Sequence, residues 1–421
     1  MDSMPEAIVQ HILSQISNAR DIAVSNCVSM RWKDSVPYIP SLYFPRNLFE
    51  EAISEQSDAS IGKMILAPLR LEELVIYYPF SAASLAMWLS HKSSSLRRLE
   101  LRMDNFTSDN NQDSVESATT KLDCIELVKG LESLKLWGVC LINSPKWTAF
   151  NHLLKLEIVG AGLKDQSLFD ALQACPNLTD LALLSCKGVS SVNIKFNKLE
   201  NCRLDFLGAG HCMLSITSPK LQVLDIQGFH WIEVNHNHCL RSVSISKVSG
   251  RVYKVDLGKL DCLEYLSVRG VQWSWNALYS VLTLATEVKH LVMKVEFCGD
   301  LDKLLPFPLV DLVKFFNHHP KLCSFEIHGA MFAALCQKDS LRNLDSNFKI
   351  PCLEQLIITV RSPLNAEQKL NTLESLVKHS KNLKKLGIRI SQMRNCQDNA
   401  DDFFEEICGF AYMNNKVVYI E

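Results

Sequence analysis

The sequence predicts an α/β fold in which short parallel strands stack into one curved sheet behind a small helical module. Two observations predict it: an apolar hexamer that recurs along most of the chain, and a different apolar pattern over residues 1–45. We therefore divide the chain into a helical module at residues 1–45 and a repeat domain at residues 46–421 that ends in a C-terminal cap.

The recurring hexamer has apolar residues at positions 1, 4 and 6. It occurs 13 times, with start-to-start spacings between 19 and 35 residues. The copies begin at Leu71, Leu96, Leu131, Leu153, Leu178, Leu199, Leu221, Leu240, Leu263, Val288, Leu322, Leu353 and Leu383. A single copy means little because any half-buried strand matches it, but 13 copies predict a leucine-rich-repeat solenoid. Positions 4 and 6 of each strand should then point inward.

The segments between the hexamers predict two kinds of connection from one repeat strand to the next. GLKDQSLFDALQACPNL predicts a helix capped by Asp165, because Leu168, Ala171 and Leu172 form an apolar stripe. Further helices are predicted over WNALYSVLTLATEV, LVDLVKFFNHHPKL and NTLESLVKHSKNL. VSSVNIKF, HCMLSITS, HWIEVNH and RVYKVDL instead alternate with period two and predict strands. The tail FFEEICGFAYMNNKVVYIE predicts a closing helix and strand.

Composition narrows the classes of partner. The formal net charge is −2 and no basic cluster stands out, so nucleic acid is not an expected partner. The 15 cysteines include no CxxC pair, which excludes the common zinc and redox spacings and favours the reducing cytoplasm or nucleus. The sequence has no run of 18 apolar residues and no signal-peptide pattern at its start, so no membrane contact is expected.

Motifs that would indicate a cofactor or an enzyme are weak. The third glycine of a dinucleotide-binding motif at Gly160-Ala161-Gly162 would fall on Asp165. His230, His236, His238 and Cys239 suggest a metal, but their spacing matches no common site. We therefore predict no cofactor, no metal and no catalytic residues. An enzymatic function is our third hypothesis, after two non-enzymatic ones.

Residues 1–45 predict three short helices. Pro5 and Glu6 mark the first start, Arg20 lies near the second, and Trp32 opens a third that stops before Pro37. So small a module cannot bury all its apolar surface alone. Ile8, Ile12, Leu13 and Ile16 form one stripe that Val9 widens, so the leftover apolar residues of this helix should cover the first repeat or a partner.

The run MPEAIVQHILSQISNARDIAVSNCVSMRWKDSV resembles the F-box. The matching positions are Pro5, Glu6, Ile8, Ile12, Leu13, Ser14, Asp21, Val24, Cys27, Val28 and Trp32. Met4 stands where that family usually has Leu, a volume-conserving difference. Together with the repeats, the chain resembles the plant F-box/leucine-rich-repeat (RNI-like) proteins. The resemblance implies a three-helix F-box followed by a leucine-rich-repeat solenoid.

The resemblance also implies a function without catalysis. Such a chain would be the substrate-recognition subunit of an SCF-type (Skp1-cullin-F-box) E3 ubiquitin ligase, which brings a target lysine close to activated ubiquitin. Its F-box would bind a Skp1-type adaptor and through it a cullin. The expected adaptor contacts are Met4, Pro5, Ile8, Ile12, Leu13, Val24 and Trp32. Two alternatives concern the module: Leu13, Val24 and Trp32 form its own core, or the whole module is a helical cap without a partner. The alternative for the chain is a non-ligase protein-interaction scaffold.

An unknown target protein would bind the repeats. Positions 3, 5 and 7 of each hexamer should project onto the concave face of the sheet. The target-binding candidates are Lys135, Trp137, Arg203, Asp205, Asp225, Gln227, Tyr265, Arg269, Lys294 and His328, with Glu326 and Arg389 on the same face. Aromatic anchors and charges of both signs suit protein recognition. A polyphosphate pocket, which some family members contain, is not expected because acids and serines interrupt the basic residues.

Overall fold

The computed structural model describes residues 4–46, 54–77, 80–103, 120–208, 212–297, 309–361, 365–390 and 397–421. It divides into two compact units, Met1–Gly208 and Ala209–Glu421. None of the helices in these ranges is both long and apolar enough to span a membrane.

The first unit begins with a helical module and continues as strands joined by helices, loops and short strands. Its helices are α1 (Glu6–Ser14), α2 (Ala19–Ser25), α3 (Met30–Ser35), α4 (Ser54–Leu66), α5 (Ala82–Lys92) and α6 (Asp165–Gln173), with 3-10 helices at Val36–Tyr38 and Cys124–Leu127. Its strands are β1 (Ser41–Phe44), β2 (Glu73–Tyr77), β3 (Arg98–Arg102), β4 (Ser133–Trp137), β5 (Cys140–Leu141), β6 (Lys155–Val159), β7 (Gly162–Leu163), β8 (Asp180–Cys186), β9 (Ser191–Lys195) and β10 (Asn201–Phe206). The main sheet of this unit is parallel in the order β1-β2-β3-β4-β6-β8-β10.

The second unit also consists of strands joined by helices and short strands. Its helices are α7 (Trp275–Leu284), α8 (Leu312–His318), α9 (Gly329–Leu335), α10 (Ala366–His379) and α11 (Gln397–Met413). Its strands are β11 (Met213–Thr217), β12 (Val223–Gln227), β13 (Trp231–Asn235), β14 (Ser242–Lys247), β15 (Lys254–Asp256), β16 (Tyr265–Trp273), β17 (His290–Phe297), β18 (Ser324–His328), β19 (Gln355–Val360), β20 (Lys385–Ile390) and β21 (Val418–Ile420). The main sheet of this unit runs β12-β14-β16-β17-β18-β19-β20-β21.

All 13 predicted hexamers form strands of these main sheets, and each strand begins at position 3 of its hexamer. Neighbouring strands pair position for position, so Leu74 lies opposite Leu99 and Leu99 opposite Leu134. Positions 1, 4 and 6 are buried in every copy. Burial of one such side chain stabilises the fold by about 1.5–3 kcal/mol. These observations confirm the predicted α/β class and the leucine-rich-repeat architecture.

The return segments follow the predicted division. α6, α7, α8 and α10 form where helices were predicted, and β9, β11, β13 and β15 form where strands were predicted. In the second unit, β15, β13 and β11 pair side by side as a separate small sheet. The tail forms α11 and β21, and β21 pairs with β20 as expected for a closing element. Helix α9 follows β18 directly and was not predicted.

Two details differ from the sequence prediction. Lys164, not Asp165, occupies the N-cap of α6, and the Asp165 carboxylate instead accepts a hydrogen bond of 2.8 Å from the Ser190 backbone N–H. Residues 41–44, which we assigned to the helical module, form β1, and Leu42 lies opposite Leu74 in the sheet. The alternating burial of Leu42 and Phe44 explains this, because it continues the pattern of the repeats.

Four lysines lie in the interior of their units with exposed fractions below one tenth: Lys92, Lys121, Lys247 and Lys369. The Lys92 ammonium donates to the carbonyl oxygens of Pro68 at 2.5 Å and Leu66 at 3.2 Å. It thereby satisfies a carbonyl at the end of α4. Lys247 is 1% exposed and donates to the Gly228 carbonyl, with its Nζ 3.2 Å from His230 Nδ1. Burial lowers the pKa of all four ammonium groups.

Lys121 gives a pH-dependent prediction. Its ammonium lies 5.2 Å from the Phe80 ring centre, and burial lowers its pKa to about 8, although Asp58 acts in the opposite direction. Because the unfolded side chain titrates near 10.4, the unfolded state binds more protons between pH 8 and 10.4, and stability contributed by this group rises with pH there. We expect the Lys121→Met variant to unfold at higher denaturant concentration than wild type at pH 7. This advantage should shrink by up to about 1.4 kcal/mol per pH unit across that window. A difference in the free energy of unfolding that does not change with pH would contradict the assignment.

Candidate functional site

The helical module has an apolar core of its own. On α1, Val9 and Leu13 are 1% and 0% exposed, and on α2 Ile22 is 0% exposed. Val9 and Leu13 are four residues apart and so share the inward face of α1. Leu13, which we expected to contact the adaptor, therefore belongs to this core, which was the alternative interpretation.

A second apolar surface of the module faces outward. Ile8 is 46% exposed, Val24 62%, Val28 51% and Met30 69%. Pro5 is exposed, and Met4, Ile12 and Trp32 are half-buried. The core already uses the inward faces of α1 and α2, so the most exposed of these side chains contribute little to the stability of the fold. They form what we call the apolar face of the module: Ile8, Val24, Val28 and Met30.

The apolar face includes two residues absent from our adaptor candidates. Val28 and Met30 lie after the end of α2 and at the start of α3. Val28 is among the positions that match the F-box, which is the sequence signal that could have identified it, whereas Met30 is not among them.

We call the surface made by positions 3, 5 and 7 of the hexamers the open face, and all ten target candidates lie on it. In the first unit it carries a stack of cations and rings. The Arg102 guanidinium lies 4.6 Å from the Tyr77 ring centre and 5.0 Å from that of Trp137. Lys135 lies 4.8 Å from the Trp137 ring centre and forms an ion pair of 2.9 Å with Glu157. Cations over aromatic rings attract their electrons, so this stack is held in a fixed arrangement.

Among the candidates of the first unit, the structure brings Lys135 and Trp137 together. Arg203 and Asp205 lie on β10, where Arg203 is exposed and Asp205 accepts a hydrogen bond of 3.4 Å from Ser185. Tyr77 and Arg102 were not among our candidates. The same position-7 rule that selected Trp137 identifies both of them.

In the second unit the open face carries a network of ion pairs. Glu326 lies 2.7 Å from the Lys294 ammonium and 3.0 Å from the Arg389 guanidinium. Arg389 also pairs with Glu421 at 2.9 Å. His328 is half-buried beside these groups, and desolvation together with Lys294, Arg361 and Arg389 lowers its pKa to about 4. His328 is therefore uncharged at neutral pH.

The other candidates of the second unit lie on the same face. Asp225 and Gln227 are on β12, and Tyr265 and Arg269 are on β16. Arg269 pairs in register with Lys294, and its Nε donates to Ser267 Oγ at 3.0 Å. The structure thus brings Arg269, Lys294 and His328 together.

The histidines considered as metal ligands are separated by their environments. His230 is 4% exposed and contacts Lys247 in the interior, whereas His236, His238 and Cys239 are exposed. Within the part of the chain that the structure describes, no group of three or more His, Cys, Asp or Glu side chains is placed to hold a metal ion. Gly160 ends β6 with a φ of 65°, as expected for a turn between strand and loop.

Comparison with known proteins gives three relatives. The chain is 54% identical over 422 residues to F-box protein At1g10780 of Arabidopsis thaliana, covering 100% of both chains. It is 22% identical over 320 residues to F-box/LRR-repeat protein At1g67190 of the same plant, covering 72% of this chain and 73% of the relative. F-box/LRR-repeat protein 25 of Arabidopsis thaliana is 22% identical over 235 residues, covering 54% of this chain and 85% of the relative. No family model matches the sequence.

Proposed function

The chain belongs to the F-box protein family, and from this premise we propose that it is the substrate-recognition subunit of an SCF-type E3 ubiquitin ligase. The module would bind a Skp1-type adaptor, and through it a cullin, while the open faces of the repeats bind a target protein. The chain would perform no chemistry itself. It would raise the local concentration of target lysines near the ubiquitin thioester.

The apolar face of the module is the observation that carries this proposal. Val24, Val28 and Met30 are each more than half exposed although Leu13 and Ile22 already fill the core. Large apolar side chains that a fold leaves exposed in a small module are typical of a protein interface. We therefore assign adaptor contact to Met4, Pro5, Ile8, Ile12, Val24, Val28, Met30 and Trp32, with Leu13 supporting them from inside.

The cysteines support an intracellular setting for this function. All the cysteines that the structure describes are free thiols. Burial raises the pKa of Cys175 and Cys202 to about 12, so these thiols stay protonated and unreactive at neutral pH. Free thiols are typical of the reducing cytosol and nucleus, where ubiquitin ligases act.

Mixing the full chain with a purified Skp1-type adaptor tests the proposal. We expect a one-to-one complex in size-exclusion chromatography with a dissociation constant in the micromolar range or tighter. A cullin added to this mixture should join the complex. Adaptor binding without cullin recruitment would favour the non-ligase scaffold, and failure to bind the adaptor would contradict the proposal.

A further inference from the structure

We propose that the open face of β16 to β20 binds an extended, negatively charged segment of the target, with Asp and Glu or phosphorylated Ser and Thr as its anionic side chains. This inference rests on the proposed function of the chain as a target receptor. The contact surface is a row of five side chains, one from each strand, at position 7 counted from the start of its hexamer. We call it the basic row: Arg269, Lys294, His328, Thr359 and Arg389.

Strand register creates the basic row. Arg269 lies opposite Lys294, and His328 and Arg389 both lie opposite Thr359. Lys294 and His328 each follow directly after a paired residue, Met293 and Ile327. The five side chains therefore cross the sheet in a line, although up to 34 residues separate neighbours in the sequence.

The charge of the row sets it apart from the equivalent row of the first unit. Position 7 there holds Tyr77, Arg102, Trp137, Val159, Leu184 and Asp205, with one cation and one carboxylate. The basic row holds three permanent cations and no carboxylate. Counted in the same way, positions 3, 5 and 9 of these five repeats add the cations Lys385 and Arg361. They add only two carboxylates, Glu326 and Glu296.

The carboxylates near the row are shared between cations and do not neutralise them fully. Glu326 pairs with both Lys294 and Arg389, and Glu421, beyond β21, pairs with both Arg389 and Lys385. Within the described ranges, Arg269 has no carboxylate partner. Burial is the main cause of the low pKa of His328, and three neighbouring cations lower it further against one carboxylate that raises it.

Thr359 adds a hydrogen-bonding group at the row. Its side chain is 6% exposed, and its hydroxyl has no hydrogen-bond partner among the described residues. A buried hydroxyl without a partner costs free energy, and an anionic oxygen close to it would remove that cost. The neighbouring guanidinium of Arg389 suits such an oxygen, because its planar donors bind carboxylate or phosphate.

The length of the row suits a peptide. Adjacent strands lie about 4.8 Å apart, so five side chains in register span about 19 Å. An extended peptide advances about 3.3 Å per residue, so about six residues cover the row. A segment that crosses the strands would place two or three anionic side chains on the cations.

Binding to a peptide array tests the inference with the full chain. The array carries peptides of about 12 residues in which acidic content increases from none upward, as Asp and Glu in one set and phosphoserine in another. We expect the most acidic peptides of at least one set to bind at least about tenfold more tightly than neutral ones, with affinity that falls as salt rises. The set that binds more tightly identifies the source of the anionic groups.

Two double variants locate the site. Arg269→Ala with Lys294→Ala should weaken acidic-peptide binding at least about tenfold. Lys187→Ala with Lys195→Ala removes two exposed cations of the first unit that lie outside the open face and should change binding less than about twofold. In addition, saturation with the tightest peptide should raise the pKa of His328 from about 4, as measured by NMR of the histidine ring.

Several outcomes would overturn the inference: no dependence on acidic content, equal loss in the two double variants, or equally tight binding of a thymidine oligonucleotide through the same residues. The adaptor-binding assay on the same preparations separates the two proposals. Retained adaptor binding with no preference for acidic peptides refutes the basic row alone. Loss of adaptor binding in the wild-type chain refutes the receptor function.

Discussion

The Ile8→Glu, Val24→Glu double variant should lose at least about 100-fold in affinity for a Skp1-type adaptor. Both side chains are exposed, 46% and 62%, and belong to the apolar face of the module. An adaptor that covers this face would have to bury two carboxylates without partners, and each costs more than 1.4 kcal/mol, which is tenfold in affinity. Isothermal titration calorimetry with the full chain gives the affinity.

The fold of this double variant should be intact, because neither side chain contributes to the core formed around Leu13 and Ile22. The thermal unfolding midpoint should therefore stay within a few degrees of wild type. A matched control places the same two charges elsewhere: Leu154→Glu with Val248→Glu, at residues 41% and 72% exposed in the repeats. The control should bind the adaptor as wild type does, and an affinity within about threefold of wild type in the Ile8 and Val24 variant would refute the assigned face.

Gly270→Ala should destabilise the second unit by about 3–5 kcal/mol. Gly270 has a φ of 120°, where a side chain is strained. It pairs with Lys247 across β14 and β16, and a Cβ atom at Gly270 would lie 1.9 Å from the Lys247 carbonyl oxygen. Because backbone lies on both sides of this contact, the strands must separate to admit the methyl group. Urea unfolding followed by circular dichroism measures the loss.

Gly160→Ala is the matched control for this prediction. Gly160 also has a positive φ, 65°, but a Cβ atom there meets nothing within 4 Å. Gly160→Ala should therefore lower the free energy of unfolding only through the unfavourable backbone conformation, by about 1–2 kcal/mol. Equal losses in the two variants would show that backbone conformation alone accounts for the effect and that the close contact with Lys247 is relieved.

The sequence predicts the repeats well because the physics behind them is local. Leu71, Leu74 and Ile76 repeat their spacing in every later copy, and a strand buried on one face requires that spacing. The alternation in HWIEVNH is equally local and predicts β13. By contrast, our prediction places β1 in the helical module, although Ile39, Leu42 and Phe44 have the spacing of the hexamer, because they follow the predicted helices directly.

The candidate sites are harder to predict because they depend on distant residues. The stripe of α1 contains both Ile8 and Leu13, and only the packing of the other helices decides which one points inward. The position-7 rule places the cations of the basic row on one face, but only strand register shows that Arg269 and Arg389, 120 residues apart in sequence, stand in one line.

The interior position of Lys92, Lys121, Lys247 and Lys369 has a consequence for amine chemistry. Acyl transfer to a lysine needs a neutral nitrogen that an electrophile can reach. Burial favours the neutral form of these four nitrogens but also shields them, so activated esters should modify surface lysines first. Any acylation of Lys247 would then report the transient separation of β14 from its neighbours. This side chain is therefore a chemical probe of local opening in the repeats.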